Sequence, residues 1–269
     1  MSLKKFNKMP PREKAAAIAI AVIAVGLMAF LVRNAIVAGH GPKYDEHGCP
    51  VEGVKGHLLF VIDRTDPLSP SKHRAIVNEI KLMIQQVEQG YRISVYEIDA
   101  KNMKGLSEPV YSECKPRSGK DADPLTENPQ LLARKYEENF VQPLETVLER
   151  YSGGEEQPRS PIIESLIDVV HIEDFGSGVP NRKLVLFSDM LQHSSLLSHY
   201  SGGPSFERGK SKPGFTQMIP HLPGVEVTVF YMLRDTPRVR ALQSNEHVRF
   251  WVDLFDAAGA DLQKIAKIK

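Results

Sequence analysis

The chain is poor in the residues that most often announce a function. It has only two cysteines among 269 residues, Cys49 and Cys114, which excludes a disulfide scaffold and a structural cysteine-zinc site. One bridge between them remains open if the domain lies in an oxidising compartment. No charge of one sign dominates: 34 Lys and Arg against 33 Asp and Glu leave a formal net charge of +1. That balance argues against a general binder of nucleic acid or of acidic substrates. There is no fixed-period repeat and no low-complexity block. A phosphate-cradling glycine loop is also missing; Gly202-Gly203-Pro204 and Ser118-Gly119-Lys120 read as loop punctuation. His193 and His199 have neither helical metal-pair nor dyad spacing and read as solvated loop residues, and Cys114 has no neighbouring His or basic cluster to activate it.

What is present begins with a long hydrophobic run. Residues 15–32 (AAAIAIAVIAVGLMAFLV) carry no charge and are long enough to cross a hydrocarbon core as a helix, with apolar character continuing to residue 38. A cleaved signal peptide is the competing reading, but the run exceeds a typical signal core and Arg33 precedes the small residues of any cleavage site. Lys4, Lys5, Lys8, Arg12 and Lys14 precede the run, whereas only Arg33 and Lys43 closely follow it. The positive-inside rule therefore puts residues 1–14 in the cytoplasm and the large domain outside it, in the periplasm of a bacterium. Residues 39–56 read as a linker, and residues 57–269 as one α/β domain.

Within that domain, Leu58-Leu59-Phe60-Val61-Ile62 runs into Asp63-Arg64-Thr65-Asp66-Pro67-Leu68-Ser69. A short continuous apolar run bounded by turn residues predicts a strand buried on both faces, as in a parallel sheet. A helix to about residue 89 follows, then an alternating strand over 91–98. Residues 99–129 have no periodicity and read as a long insertion. A helix over 129–151, bent at Pro143, comes next. Ser160-Pro161-Ile162-Ile163-Glu164 has the N-cap, first-position proline and near-capping-box acid of a new helix. Residues 182–189 repeat the first strand's grammar, an apolar run ending on Asp189. Residues 225–233 form a further strand, and 248–258 a helix with Trp251 and Phe255 on its core face. The tail 261–268 reads as an edge strand or a helix. Strands alternating with helices predict a doubly wound, mainly parallel sheet.

Such sheets bind ligands beyond the carboxyl ends of their strands. On that edge fall Asp63, Thr65, Asp66 and Ser69 in one loop, Ser160 in a second, and Ser188 and Asp189 in a third. The pattern resembles the von Willebrand factor A-like superfamily, whose metal-ion-dependent adhesion site combines an Asp-x-Ser-x-Ser loop, a middle-loop hydroxyl and a later Asp. The resemblance implies metal ligation by Asp63, Thr65, Ser160 and Asp189, with Asp66 or Ser69 as substitutes. It also implies a Mg²⁺ or Mn²⁺ ion and a protein partner that completes the coordination. This chain departs from the pattern at Pro67, where the second loop hydroxyl belongs. Ser188-Asp189-Met190-Leu191-Gln192 and the stretch 250–259 also resemble bacterial membrane-anchored proteins of this kind. The leading expectation is a membrane-anchored interaction module in an envelope-associated assembly. An enzyme is the competing class: Asp63 as nucleophile and Ser188 as phosphate-binding hydroxyl of a haloacid-dehalogenase-type phosphohydrolase. There Thr65 stands where the acid/base Asp belongs, and no Lys and paired-carboxylate motif follows. A purely structural membrane subunit with a degenerate metal site, which keeps the fold and binds no ion, is the third reading.

Overall fold

The computed structural model describes residues 10–39, 43–98, 100, 106, 108–150 and 156–268. The basic residues 1–9, residues 40–42, most of the stretch 99–107 and the connection 151–155 lie outside the described residues. Two compact units divide at Lys43 and Tyr44. The first unit contains helix α1, Pro11–Gly39, of which Pro11–Arg33 is long and apolar enough to cross a membrane. Its apolar side chains, Ile20, Ile23 and Leu27 among them, are exposed. An uncovered apolar helix of this length is suited to hydrocarbon rather than to water.

The second unit starts at Tyr44, so most of the expected linker is part of the folded domain. Along it run β1 (Gly56–Asp63), α2 (Pro70–Gln86), β2 (Tyr91–Ile98), β3 (Tyr111–Cys114), α3 (Pro129–Tyr136), α4 (Gln142–Glu149) and α5 (Ile162–Val170). They are followed by β4 (Arg182–Ser188), α6 (Phe206–Lys210), β5 (Val225–Met232), α7 (Pro237–Arg240), α8 (Asn245–Ala257) and β6 (Asp261–Ile268). The strands form one sheet in the order β3-β2-β1-β4-β5-β6. All neighbours are parallel except β2 and β3. The tail is therefore the parallel edge strand of the two alternatives.

Strand β1 lies between β2 and β4 and is buried along its whole length. Leu58, Phe60 and Ile62 face a cluster that holds Ile76, Ile80 and Ile84 of α2 and Leu144 and Leu148 of α4. Leu59 and Val61 face the opposite cluster, with Ile162, Ile163 and Leu166 of α5 and Phe250, Trp251 and Phe255 of α8. Alternation at period two thus feeds both layers, which is why the run carries no polar residue.

Several local expectations are corrected. The four-residue β3 was too short to read in Tyr-Ser-Glu-Cys, and it pairs with β2 inside the expected insertion. The helix expected over 129–151 is interrupted by a π-helical turn at Glu137–Val141. Pro143 explains the place: its ring crowds the carbonyl of Asn139, and widening the preceding turn relieves the clash. Helix α2 ends at Gln86, and Gly90 takes φ +83° in the turn into β2, a conformation that glycine adopts without a Cβ penalty.

Cys49 and Cys114 form a disulfide across 65 residues. It joins a small hairpin, closed by a Tyr44–Pro50 bridge and by Cys114 N donating to His47 O at 2.9 Å, to the end of β3. Removing a bridge over a loop this long costs roughly 2–5 kcal/mol. The Cys49→Ser/Cys114→Ser variant therefore unfolds at lower urea concentration than the wild type. The reporter is Trp251, the one tryptophan of the chain and 1% exposed. Reductant will shift the wild type alone.

Candidate site at the switch point of the sheet

The strand order reverses between β1 and β4, which opens a crevice at their carboxyl ends. Asp63 is the last residue of β1, and Ser188 the last of β4. Both are buried, as are Thr65, Ser160 and Asp189.

Asp63 collects donors from all three loops. Its Oδ1 accepts from Thr65 Oγ1 at 2.6 Å and from the Thr65 backbone N–H at 3.0 Å. Its Oδ2 accepts from Ser188 Oγ at 2.6 Å and from Ser160 Oγ at 3.4 Å. Burial raises the Asp63 pKa, and the hydroxyls of Ser188 and Thr65 pull it back down. The structure thus gathers Asp63, Thr65 and Ser160, and adds Ser188 as an Asp63 partner.

Ser160 reaches Asp63 because it does not cap a helix. Helix α5 starts only at Ile162, and Pro161 holds the cap position without a side-chain hydrogen bond. Instead, Gln192 Oε1 accepts from the Ile163 N–H at 2.9 Å, while its amide donates to Glu164 at 2.8 Å. Paired backbone bonds with His193, both 2.8 Å, hold Ser160 in a short antiparallel bridge. A cap borrowed from a distant loop satisfies the helix end and frees the serine.

Asp189 sits just beyond β4. The Leu191 N–H donates to its Oδ1 at 2.8 Å, and Arg234 Nη1 to its Oδ2 at 3.1 Å. Burial, then the neighbouring carboxylate of Asp63, pushes its pKa up to about 8; Arg234 acts in the opposite direction. Met190, the next residue, has φ +61°, a left-handed conformation costing roughly 1–2 kcal/mol for a residue with a Cβ. Its N–H donates to Ser188 Oγ at 2.8 Å, and its carbonyl accepts from Trp251 Nε1 and His247 Nε2, each at 2.9 Å. His247 also lies 2.5 Å from the Tyr231 hydroxyl and 3.0 Å from His199. His199 is therefore a buried residue behind the site rather than a solvated one. Burial lowers the pKa of His199 to about 3 and of His247 to about 4, so both are neutral.

Asp63, Asp66 and Asp189 line one cleft of about 250 Å³ together with Pro67, Lys72, Glu156, Arg234 and Asp235. Arg234 Nη1 also contacts Asp66 Oδ2. Ser69 is occupied elsewhere, as the N-cap of α2, where it accepts from the Lys72 N–H at 3.4 Å. Arg234 and its bracket Gln243 were missed in the sequence. Their signal was position, since Arg234 lies two residues past β5 on the same edge.

These residues do not fit a divalent ion in the arrangement they hold. Each carboxylate oxygen of Asp63 and Asp189 already accepts a hydrogen bond from a protein group. Pro67 supplies no side-chain oxygen. An ion sharing Asp189 with Arg234 would meet a guanidinium at contact range, a repulsion of several kcal/mol even at an effective dielectric constant of about 20. Among the described residues no three His, Cys, Asp or Glu side chains form a metal-ligating group.

Asp63→Ala leaves buried hydroxyl and amide donors unpaired and should cost roughly 2–4 kcal/mol. In a domain of this size that lowers the Tm by roughly 4–16 °C, measured through Trp251 fluorescence; Asp63→Asn, which retains an acceptor for Thr65, should lose less. Asp189 also makes a signed prediction. Its folded pKa lies above its unfolded value of 3.8, so the folded state binds the proton more tightly. The stabilisation is full below pH 4 and is lost as pH rises toward 8. The wild-type Tm should therefore fall between pH 4.5 and 7.5 and level off above pH 8, and that fall should flatten in Asp189→Asn.

No family model and no curated protein matches this chain. Among solved structures it is similar to an aerotolerance-related membrane protein from Bacteroides fragilis NCTC 9343, carrying multiple mutations to serine, at 12% identity. The alignment covers 81% of this chain and 92% of that one, with a TM-score of 0.33. A superposition at that level does not define a shared fold.

Proposed function

We propose that this chain is a single-pass membrane protein whose α/β domain, of the von Willebrand factor A-like kind, presents its switch-point edge to a protein partner in an envelope-associated assembly. The observation that carries this reading is the convergence of three loops on Asp63 at the carboxyl edge of the sheet. The rim beside it offers contact area: Leu196 is 57% and Tyr200 45% exposed. Tyr200 lies within the electrostatic reach of Asp189, Asp66 and Arg234. Aromatic side chains of this kind serve as interface anchors.

An interaction module is favoured over the phosphohydrolase because Asp63 is committed. It accepts four hydrogen bonds and is 4% exposed, a poor starting point for nucleophilic attack. Thr65 spends its hydroxyl on the same carboxylate. Anchoring is supported by α1, and placement of the domain outside the cytoplasm by the basic residues before it and by the Cys49–Cys114 bridge.

Two measurements test the proposal. An alkaline phosphatase reporter fused after Lys269 should be active, and a cytoplasm-dependent fluorescent reporter dark; the reverse pattern would overturn the orientation. Photo-crosslinking residues placed at Asp66, Leu196 and Tyr200 in native membranes should yield one discrete protein adduct, and one at Glu52 on the opposite edge should not. Equal adducts from both edges would remove this edge as the docking surface.

A further inference from the structure

The family resemblance implies a divalent ion at this edge, and the geometry supplies a different cation. Arg234 follows β5 and reaches back across the sheet to Asp189 and Asp66 through the same Nη1. Its side chain is 18% exposed and that of Asp189 only 4%, so this is a largely buried contact rather than a solvated surface pair.

Its placement is built. Gln243 Oε1 accepts from the Arg234 backbone N–H at 2.8 Å. The amide nitrogen of the same side chain donates to Asp189 O at 3.0 Å and to Met232 O at 2.9 Å. One buried amide therefore fixes both the strand end that launches the guanidinium and the backbone of the carboxylate that receives it. Pro67 and Asp66 complete the exchange: the loop offers no hydroxyl where the resemblance expects one, and places a carboxylate beside it for Arg234 to contact.

We propose that Arg234 is the resident cation of this site, a guanidinium in place of the divalent ion, so that the edge is held in its binding form without metal. A fixed side-chain charge needs no ion from solution, and the two N–H groups on Nη1 allow one nitrogen to serve both aspartates. The statement about the cation stands on this geometry alone; its consequence for docking rests on the partner reading above.

The test uses the full chain in detergent, stripped with EDTA, with Trp251 fluorescence and Mn²⁺ paramagnetic resonance as readouts. The wild type should show no Tm change with millimolar Mg²⁺ or Mn²⁺ and no bound Mn²⁺. Arg234→Gln should lower the Tm by roughly 5–10 °C and acquire a Tm rise with Mn²⁺, larger when Pro67→Ser is added. Arg234→Lys, which retains the charge, should stay blind to the ion. Mn²⁺ bound by the wild type and lost in Asp189→Ala would overturn the assignment, as would a folded Arg234→Gln chain with no Mn²⁺ response. Should Arg234→Gln not fold, wild-type Mn²⁺ binding decides alone: a bound ion overturns the assignment, and none supports it. The Tyr200 crosslink should form equally in EDTA and in Mg²⁺. An adduct only in Mg²⁺ counts against Arg234, whereas no adduct under either condition sinks the partner reading and leaves the thermal result to judge the cation.

Discussion

Asp63 is the constraint on which the carboxyl edge of the domain depends. A carboxylate buried at a strand end carries a desolvation cost that only directed donors can offset. Here they come from Thr65 in its own loop, Ser160 in the next crossover and Ser188 at the end of the neighbouring strand. Three loops that are distant in sequence are thereby held to one point. The same bonds that position the carboxylate also occupy it.

Amide side chains extend this order outward. Gln192 takes over the cap of α5 and releases Ser160. Gln243 ties the end of β5 to the backbone of Asp189. Behind them Met190 is held in a left-handed conformation by Trp251 and His247, two residues of α8. Packing on one face of the sheet is thus coupled to the position of a carboxylate on its edge. Hydrogen-bonded networks of this kind rigidify a site, and strain at a functional loop persists only where its surroundings over-determine it.

Much of the fold was legible in the pattern of residues. The five apolar residues before Asp63 sit in the middle of the sheet because a strand covered on both faces needs no polar alternation. The β4 run, the β5 run and the core helix around Trp251 followed the same logic. Errors fell where local signals were weak or overruled. Four residues do not establish a strand period, so β3 was hidden in an insertion. Ser160-Pro161 reads locally as a cap, and Gln192 from a distant loop displaced it. His199 looked solvated among serines and glycines, yet it lies against His247 and Phe250.

The sequence by itself determined the alternation of strands and helices, the apolar N-terminal helix and the loop positions of Asp63, Thr65, Ser160 and Asp189, since period and turn chemistry are local properties of the chain; grouping those four residues followed from the family resemblance. Tertiary structure alone decided which groups that cluster contacts. Whether a hydroxyl ligates an ion or satisfies a carboxylate depends on which donors and charges arrive from other strands. Those arrivals, Ser188 on Asp63 and Arg234 on Asp189, are set by strand order and register. A strand-end aspartate is an invitation to a cation, and only the assembled sheet shows that the chain brings a guanidinium of its own.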